Sequence, residues 1–215
     1  PKRPEFLTNL GGVLQAQGRI DDAIDKFDEA LVIDPDYADG HWNRSLARLL
    51  NGNLFDGFSD YEWRFKLPNS LRLKHEIPIW TGQSLREKTI VINSEQGYGD
   101  TIQFSRYASM LSDQGAKVLL ETHRPLVRLF EVMDDLDEVV VHGNETGHAD
   151  FQVPVMSLPQ RFGTTLDTIP AQIPYLQVSP SPILDVISQT RFVIGIVWAG
   201  NPNHKNSWAA NRSLE

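Results

Sequence analysis

The 215-residue chain has no cysteine. That excludes a disulfide framework, a thiolate nucleophile and cysteine-ligated zinc or iron–sulfur clusters. It also lacks any run approaching the ~18 apolar residues of a spanning helix, and its start carries no charged-then-apolar signal pattern. No membrane span is expected, and the composition fits a cytoplasmic protein. Clusters of Lys and Arg are missing too. Twenty basic against 28 acidic side chains give a formal net charge of −8, a sign that repels nucleic-acid phosphates. No nucleic-acid partner is expected. The six histidines never fall in HxxxH or HExxH spacing, so no metal site is expected either. No Ser, His and Asp order reads as a catalytic triad.

What is present begins with a repeat. Asn9 and Asn43, Gly18 and Gly52, Ala23 and Gly57, Ile24 and Phe58, and Phe27 and Tyr61 all recur at an offset of 34, the tetratricopeptide period. In the first copy, residues 4–37, Leu10, Gly11 and Leu14 stand where such a repeat packs its first helix. Ala23, Phe27 and Ala30 line one face of the second helix, which Pro35 stops. Gly11 and Ala23 let two antiparallel helices approach closely, and Gly18 makes the turn between them. The second copy, residues 38–66, departs from the pattern: Arg44 and Ser45 replace the Leu-Gly pair, Gly57 replaces the alanine, and Tyr61 and Trp63 add bulk. A generic helical hairpin with an aromatic core is the plainer alternative. Each repeat buries its face only by stacking on neighbours, so two are few. Both chain ends read as cuts through a longer protein.

Residues 68–88 break every period with two prolines and a glycine and read as a linker. Beyond them the pattern alternates. Strands are expected at 89–94, 117–121, 138–141 and 151–155, with helices at 101–114 and 125–133 and a short helix and loop after 155. Strands apolar along their length, alternating with helices, indicate a parallel sheet covered on both faces. The fold class is therefore α plus α/β: helical hairpins, then a Rossmann-like, doubly wound sheet at 89–180. A further buried strand at 192–198 begins a second unit, 181–215, that the chain leaves incomplete.

Open α/β sheets bind ligands outside the carboxyl ends of their strands. The stretch TIVINSEQGYGDTIQF ends its strand there. Gly97 and Gly99 can adopt φ > 0 and bring backbone close to a ligand, and Asp100 falls at the N-cap or first turn of the next helix. Three roles stand open for this loop. Asp100 caps the helix, the free amides face an anion, or the carboxylate accepts a proton from an incoming hydroxyl. The loop is neither a P-loop nor a complete dinucleotide fingerprint. Gln96, Gly97, Gly99 and His123 lie at the substrate edge. Gly200, Asn201, His204 and Lys205, in a polar loop beyond the strand at 192–198, form a phosphate or hydroxyl contact set.

Taken in order, YEWRF, WTGQSL, TIVINSEQGYGDTIQFSRYASML, GAKVLLE, VMSLPQRFGTTLDTIP and IGIVWAGNPNHKN resemble bacterial tetratricopeptide proteins with a glycosyltransferase-like domain similar to the heptosyltransferases. The resemblance implies a GT-B enzyme: two Rossmann-like halves facing a cleft, the first for acceptor and the second for a nucleotide-sugar donor, with no further cofactor. It implies that Asp100 is the base that deprotonates the acceptor, with Gly200, Asn201, His204, Lys205, Arg212 and Ser213 near the donor diphosphate. The repeats would hold a protein or peptide. The resemblance does not name the sugar. A non-catalytic interaction scaffold with a degenerate α/β domain is the competing reading.

Overall fold

The computed structural model describes residues 3–68, 73 and 76–177. Its first part is two helical hairpins. Helices α1 (Pro4–Ala16) and α2 (Ile20–Ile33) are followed by α3 (Ala38–Leu50) and α4 (Leu54–Tyr61). Pro4 opens α1, where its fixed φ suits the first turn and its missing amide costs nothing. Gly18 and Gly52, one period apart, turn each hairpin at φ +77° and +82°. A Cβ on Gly11 would lie 2.5 Å from the Phe27 ring, so the α1/α2 approach requires glycine there. Ala23, Phe27 and Ala30 are fully buried. Leu10 is not packed as the repeat pattern led us to expect: it is 46% exposed, on one stripe with Phe6 and Val13.

In the second hairpin Ser45 is fully buried and donates its hydroxyl to the Trp42 carbonyl at 2.7 Å. Arg44, in place of leucine, donates to Asp60 at 2.7 and 2.8 Å and to Asp28 at 2.6 Å. Burial alone would raise the Asp60 carboxyl. Hydrogen bonds from Arg44 and His41, with the charges of Arg44 and Arg48, outweigh it and hold the group below its ordinary value. After α4 a 3₁₀ turn, Glu62–Lys66, leads toward the sheet.

Four strands, β1 (Thr89–Asn93), β2 (Lys117–Thr122), β3 (Glu138–Val141) and β4 (Phe151–Pro154), make a parallel sheet in the order β3-β2-β1-β4. Ile90, Ile92, Val118 and Leu120 share one face, and on it pack Phe104, Leu111 and Phe130 of the following helices together with Phe58 and Tyr61 of the repeats. Val91 and Leu119 point to the opposite face, where Ala149 and Ile77 meet them.

The helices are shorter than the sequence pattern predicts. In place of one helix over 101–114 the chain forms α5 (Tyr98–Phe104), a 3₁₀ turn and α6 (Ala108–Ser112). Ser105 and Ser109 each donate to the carbonyl three residues back, at 2.9 and 3.1 Å, competing with the helical ladder. The expected helix at 125–133 shrinks to a 3₁₀ turn and α7 (Val127–Phe130), and a single turn, α8 (Leu158–Arg161), follows β4. The β3–β4 connection, residues 142–150, carries no helix. It is shorter than the crossover of about a dozen residues that a helix needs. Helical cover of both faces is therefore not realised among the described residues.

Residues 76–88 also do more than link. Trp80 and Leu85 sit in the core at 2% and 1% exposure. The Trp80 amide donates to the Gln152 carbonyl and the Gln152 amide to the Pro78 carbonyl, both at 2.8 Å, so this segment flanks β4. Its prolines hid that pairing, yet at a sheet edge proline is tolerated.

Candidate functional site

At the carboxyl edge of the sheet the chain leaves β1 through Ser94, Glu95 and Gln96 and enters α5 at Gly97. Neither loop glycine takes the left-handed conformation expected of it. Gln96 does, at φ +60°, while Gly97 caps α5 at φ −95° and Gly99 lies within the helix. Gln96 holds that strained geometry with its side-chain amide on the Tyr61 hydroxyl, 2.5 Å away. Burial first, with the Glu95 and Asp100 carboxylates adding, keeps the Tyr61 phenol above its ordinary value and hence protonated.

Asp100 is the third residue of α5. Its Oδ2 accepts the Gly97 amide at 2.9 Å, as a capping residue does. A Cβ on Gly97 would sit 3.2 Å from that oxygen, whereas one on Gly99 would meet nothing within 4 Å. The other oxygen, Oδ1, makes no hydrogen bond among the described residues. Among the described residues the carboxylate is thus tethered at one oxygen only, an arrangement in which it can accept a proton.

In a sheet of this order the switch point lies between β1 and β4, because the chain runs outward through β2 and β3 and then returns. That crevice is filled by the repeats. Arg64, from the turn after α4, donates through Nε and Nη2 to both Glu95 oxygens at 2.9 and 2.8 Å, and through Nη2 to Ser157 Oγ at 2.7 Å. Glu95 Oε1 also accepts the Met156 amide at 3.0 Å. Glu62 accepts from Arg64, Ser157 and Arg161 at 2.6, 2.7 and 3.1 Å. Burial acts to lower the Arg64 value, and the Glu95 pair more than restores it, holding the group above its ordinary value. Sequence reasoning missed Arg64, Glu95 and Ser157. Arg64 stood among three aromatic residues in YEWRF, Glu95 in SEQGYGD and Ser157 in VMSLPQRF, with nothing in the pattern to show that they meet.

The rest of the edge is open. His123 follows β2, with its ring 5.2 Å from Tyr98 and 5.6 Å from His142, which follows β3. Below them Glu121, 3% exposed, accepts the Asn93 side-chain amide at 2.8 Å and lies 3.7 Å from His142 Nδ1. The structure therefore brings Gln96, Gly97, Gly99, Asp100 and His123 to one edge. Gly200, Asn201, His204, Lys205, Arg212 and Ser213, with the strand at 192–198 and the unit at 181–215, lie outside the described residues. Among the described residues no group of three or more His, Asp or Glu is placed to hold a metal ion, and no helix is long and apolar enough to cross a membrane.

Comparison with known proteins bears on the repeats. A family profile described as TPR repeat matches residues 11–52. Protein FlbA of Caulobacter vibrioides (strain ATCC 19089 / CIP 103742 / CB 15) is 28% identical over 187 residues, covering 66% of this chain and 31% of that protein. The chain spans less than a third of the length of this relative. Residues 11–52 contain a tetratricopeptide repeat, and a four-stranded parallel sheet with helices follows it.

Proposed function

We propose that the chain belongs to an inverting GT-B sugar transferase, acting in the cytoplasm on a protein or glycan hydroxyl held by the repeats. The observation that carries this reading is Asp100 itself. At the strand edge where α/β sheets meet ligands, one carboxylate oxygen is pinned by the Gly97 amide and the other makes no hydrogen bond among the described residues. In the proposed reaction Asp100 Oδ1 takes the proton of the acceptor hydroxyl. The resulting oxygen attacks the anomeric carbon, and the bond from that carbon to the nucleoside diphosphate breaks, leaving the diphosphate with the electron pair. Gly200, Asn201, His204, Lys205, Arg212 and Ser213 are proposed to face the diphosphate and stabilise its charge.

A second reading has its own observation. The β1/β4 crevice, the usual ligand position, is occupied by the Arg64 and Glu95 pair, as befits a sheet serving as a platform for a protein-binding repeat. Incubating the protein with a panel of nucleotide sugars, following thermal shift and donor hydrolysis, separates the two. The transferase reading expects stabilisation by at least one donor and turnover that Asp100→Asn lowers by about 100-fold or more. No stabilisation and no turnover would leave the interaction scaffold standing. Full turnover in Asp100→Asn would reduce Asp100 to a helix cap.

A further inference from the structure

We infer that Tyr98, His123 and His142 form a docking platform for the acceptor, and that the acceptor group it takes is a neutral sugar ring. The inference rests on the transferase reading and specifies the substrate class of its site. The connections after three successive strands each bring one flat side chain to the same edge: Tyr98 at the start of α5, His123 just after β2 and His142 just after β3. Their rings touch in series, at centroid distances of 5.2 and 5.6 Å and tilts of 48° and 39°, within the range of stabilising aromatic contacts. They cover no core. Tyr98 is 49% exposed and the His142 side chain 54%. Flat faces rimmed by one hydroxyl and ring nitrogens match a sugar, which has an apolar C–H face and hydrogen-bonding edges.

The surroundings narrow the class. Asp100 stands two residues beyond Tyr98 in the same turn, and the Glu121 carboxylate lies 3.7 Å from His142 Nδ1. Arg124, exposed beside His123, is the one permanent cation next in sequence to the three rings. Two carboxylates disfavour a phosphorylated or acidic ring.

The test is a titration followed by imidazole NMR. Histidine-labelled protein is titrated with methyl glycosides of glucose, galactose, mannose and N-acetylglucosamine, then separately with glucose 6-phosphate and with uridine. At least one neutral glycoside should shift the His123 and His142 signals and leave those of His41 and His148 in place. Tyr98→Ala should weaken that binding by about 2- to 10-fold, with Tyr98→Phe retaining most of it. No shift with any neutral glycoside, a preference for uridine or for the phosphorylated sugar, or unchanged binding in Tyr98→Ala would overturn the platform. Glycoside binding without any transfer would sink the transferase reading and keep the platform. Asp100-dependent transfer with an unchanged acceptor KM in Tyr98→Ala would do the reverse.

Discussion

Arg64 meets Glu95 side on, with two nearly parallel bonds of 2.9 and 2.8 Å between a repeat and the first loop of the sheet, and neither residue is more than 6% exposed. The pair fixes how the last hairpin sits against β1 and β4. It also sets up a test of what a buried ion pair contributes here. Arg64→Met leaves the Glu95 charge buried without its partner and is expected to cost about 3–5 kcal/mol. The double variant Arg64→Met, Glu95→Met removes both charges and should recover most of that loss, since apolar replacements of buried pairs are often neutral. Urea unfolding of the three variants measures this. A double variant no more stable than Arg64→Met alone would show that the remaining bonds of Glu62 and Ser157, and not the buried charge, decide the site.

Acid should loosen the repeats through Asp60. Its carboxyl lies below its ordinary value because Arg44, His41 and Arg48 outweigh burial. A carboxyl depressed in the folded state contributes stability that is fully present above its unfolded value, about 3.9, and is lost as the pH falls through its folded value. The urea midpoint should therefore fall as the pH drops below about 4. Asp60→Asn should be less stable at neutral pH, where Arg44 and Arg48 lose the Asp60 charge and keep only Asp28, and its acid decline should be shallower. An identical acid slope in the two proteins would assign the decline to other carboxylates.

The adjacent glycines of α1 should respond in opposite directions to alanine. At Gly11 a new Cβ would come within 2.5 Å of the Phe27 ring, which is itself fully buried, so Gly11→Ala should cost about 1–3 kcal/mol by overpacking. At Gly12 a Cβ meets nothing within 4 Å, and the gain in helix propensity should stabilise by about 0.5–1 kcal/mol. Thermal melts of the two variants suffice. Equal shifts would mean that Phe27 gives way freely and that the hairpin does not depend on glycine at this position.

These sites also show what the sequence made legible. The thirty-four-residue period located Gly18, Gly52, Ala23 and Phe27 correctly, because packing two helices closely imposes small residues and turns at fixed spacing. The four strands were legible from their apolar runs. The breaks in α5–α6 were not, since they arise from serine side chains competing for carbonyls. Nor was the Arg64 and Glu95 pair, 31 residues apart in sequence, because neither periodicity nor composition reports which charged residue a fold will bury. At the glycine loop the motif drew attention to Gly97 and Gly99, whereas the residue with positive φ is Gln96, whose side chain bonds Tyr61 from another part of the chain.

Gln96 supplies the last prediction. A φ of +60° costs a side-chain-bearing residue about 1–2 kcal/mol relative to glycine. The bond to the Tyr61 hydroxyl offsets part of that cost. Substituting Gln96→Gly in the intact protein mixes the two effects, so the informative background is Tyr61→Phe, where the bond is already absent. There, Gln96→Gly should stabilise by about 1 kcal/mol and Gln96→Val should destabilise, because a β-branched side chain fits the left-handed region least. The loop also carries the Gly97 amide that tethers Asp100, so the same pair of variants reports on the site. If relaxing Gln96 in Tyr61→Phe brought no gain in stability, the strain would not be stored at this residue, and the tie from Tyr61 to the loop would be a contact without a conformational role.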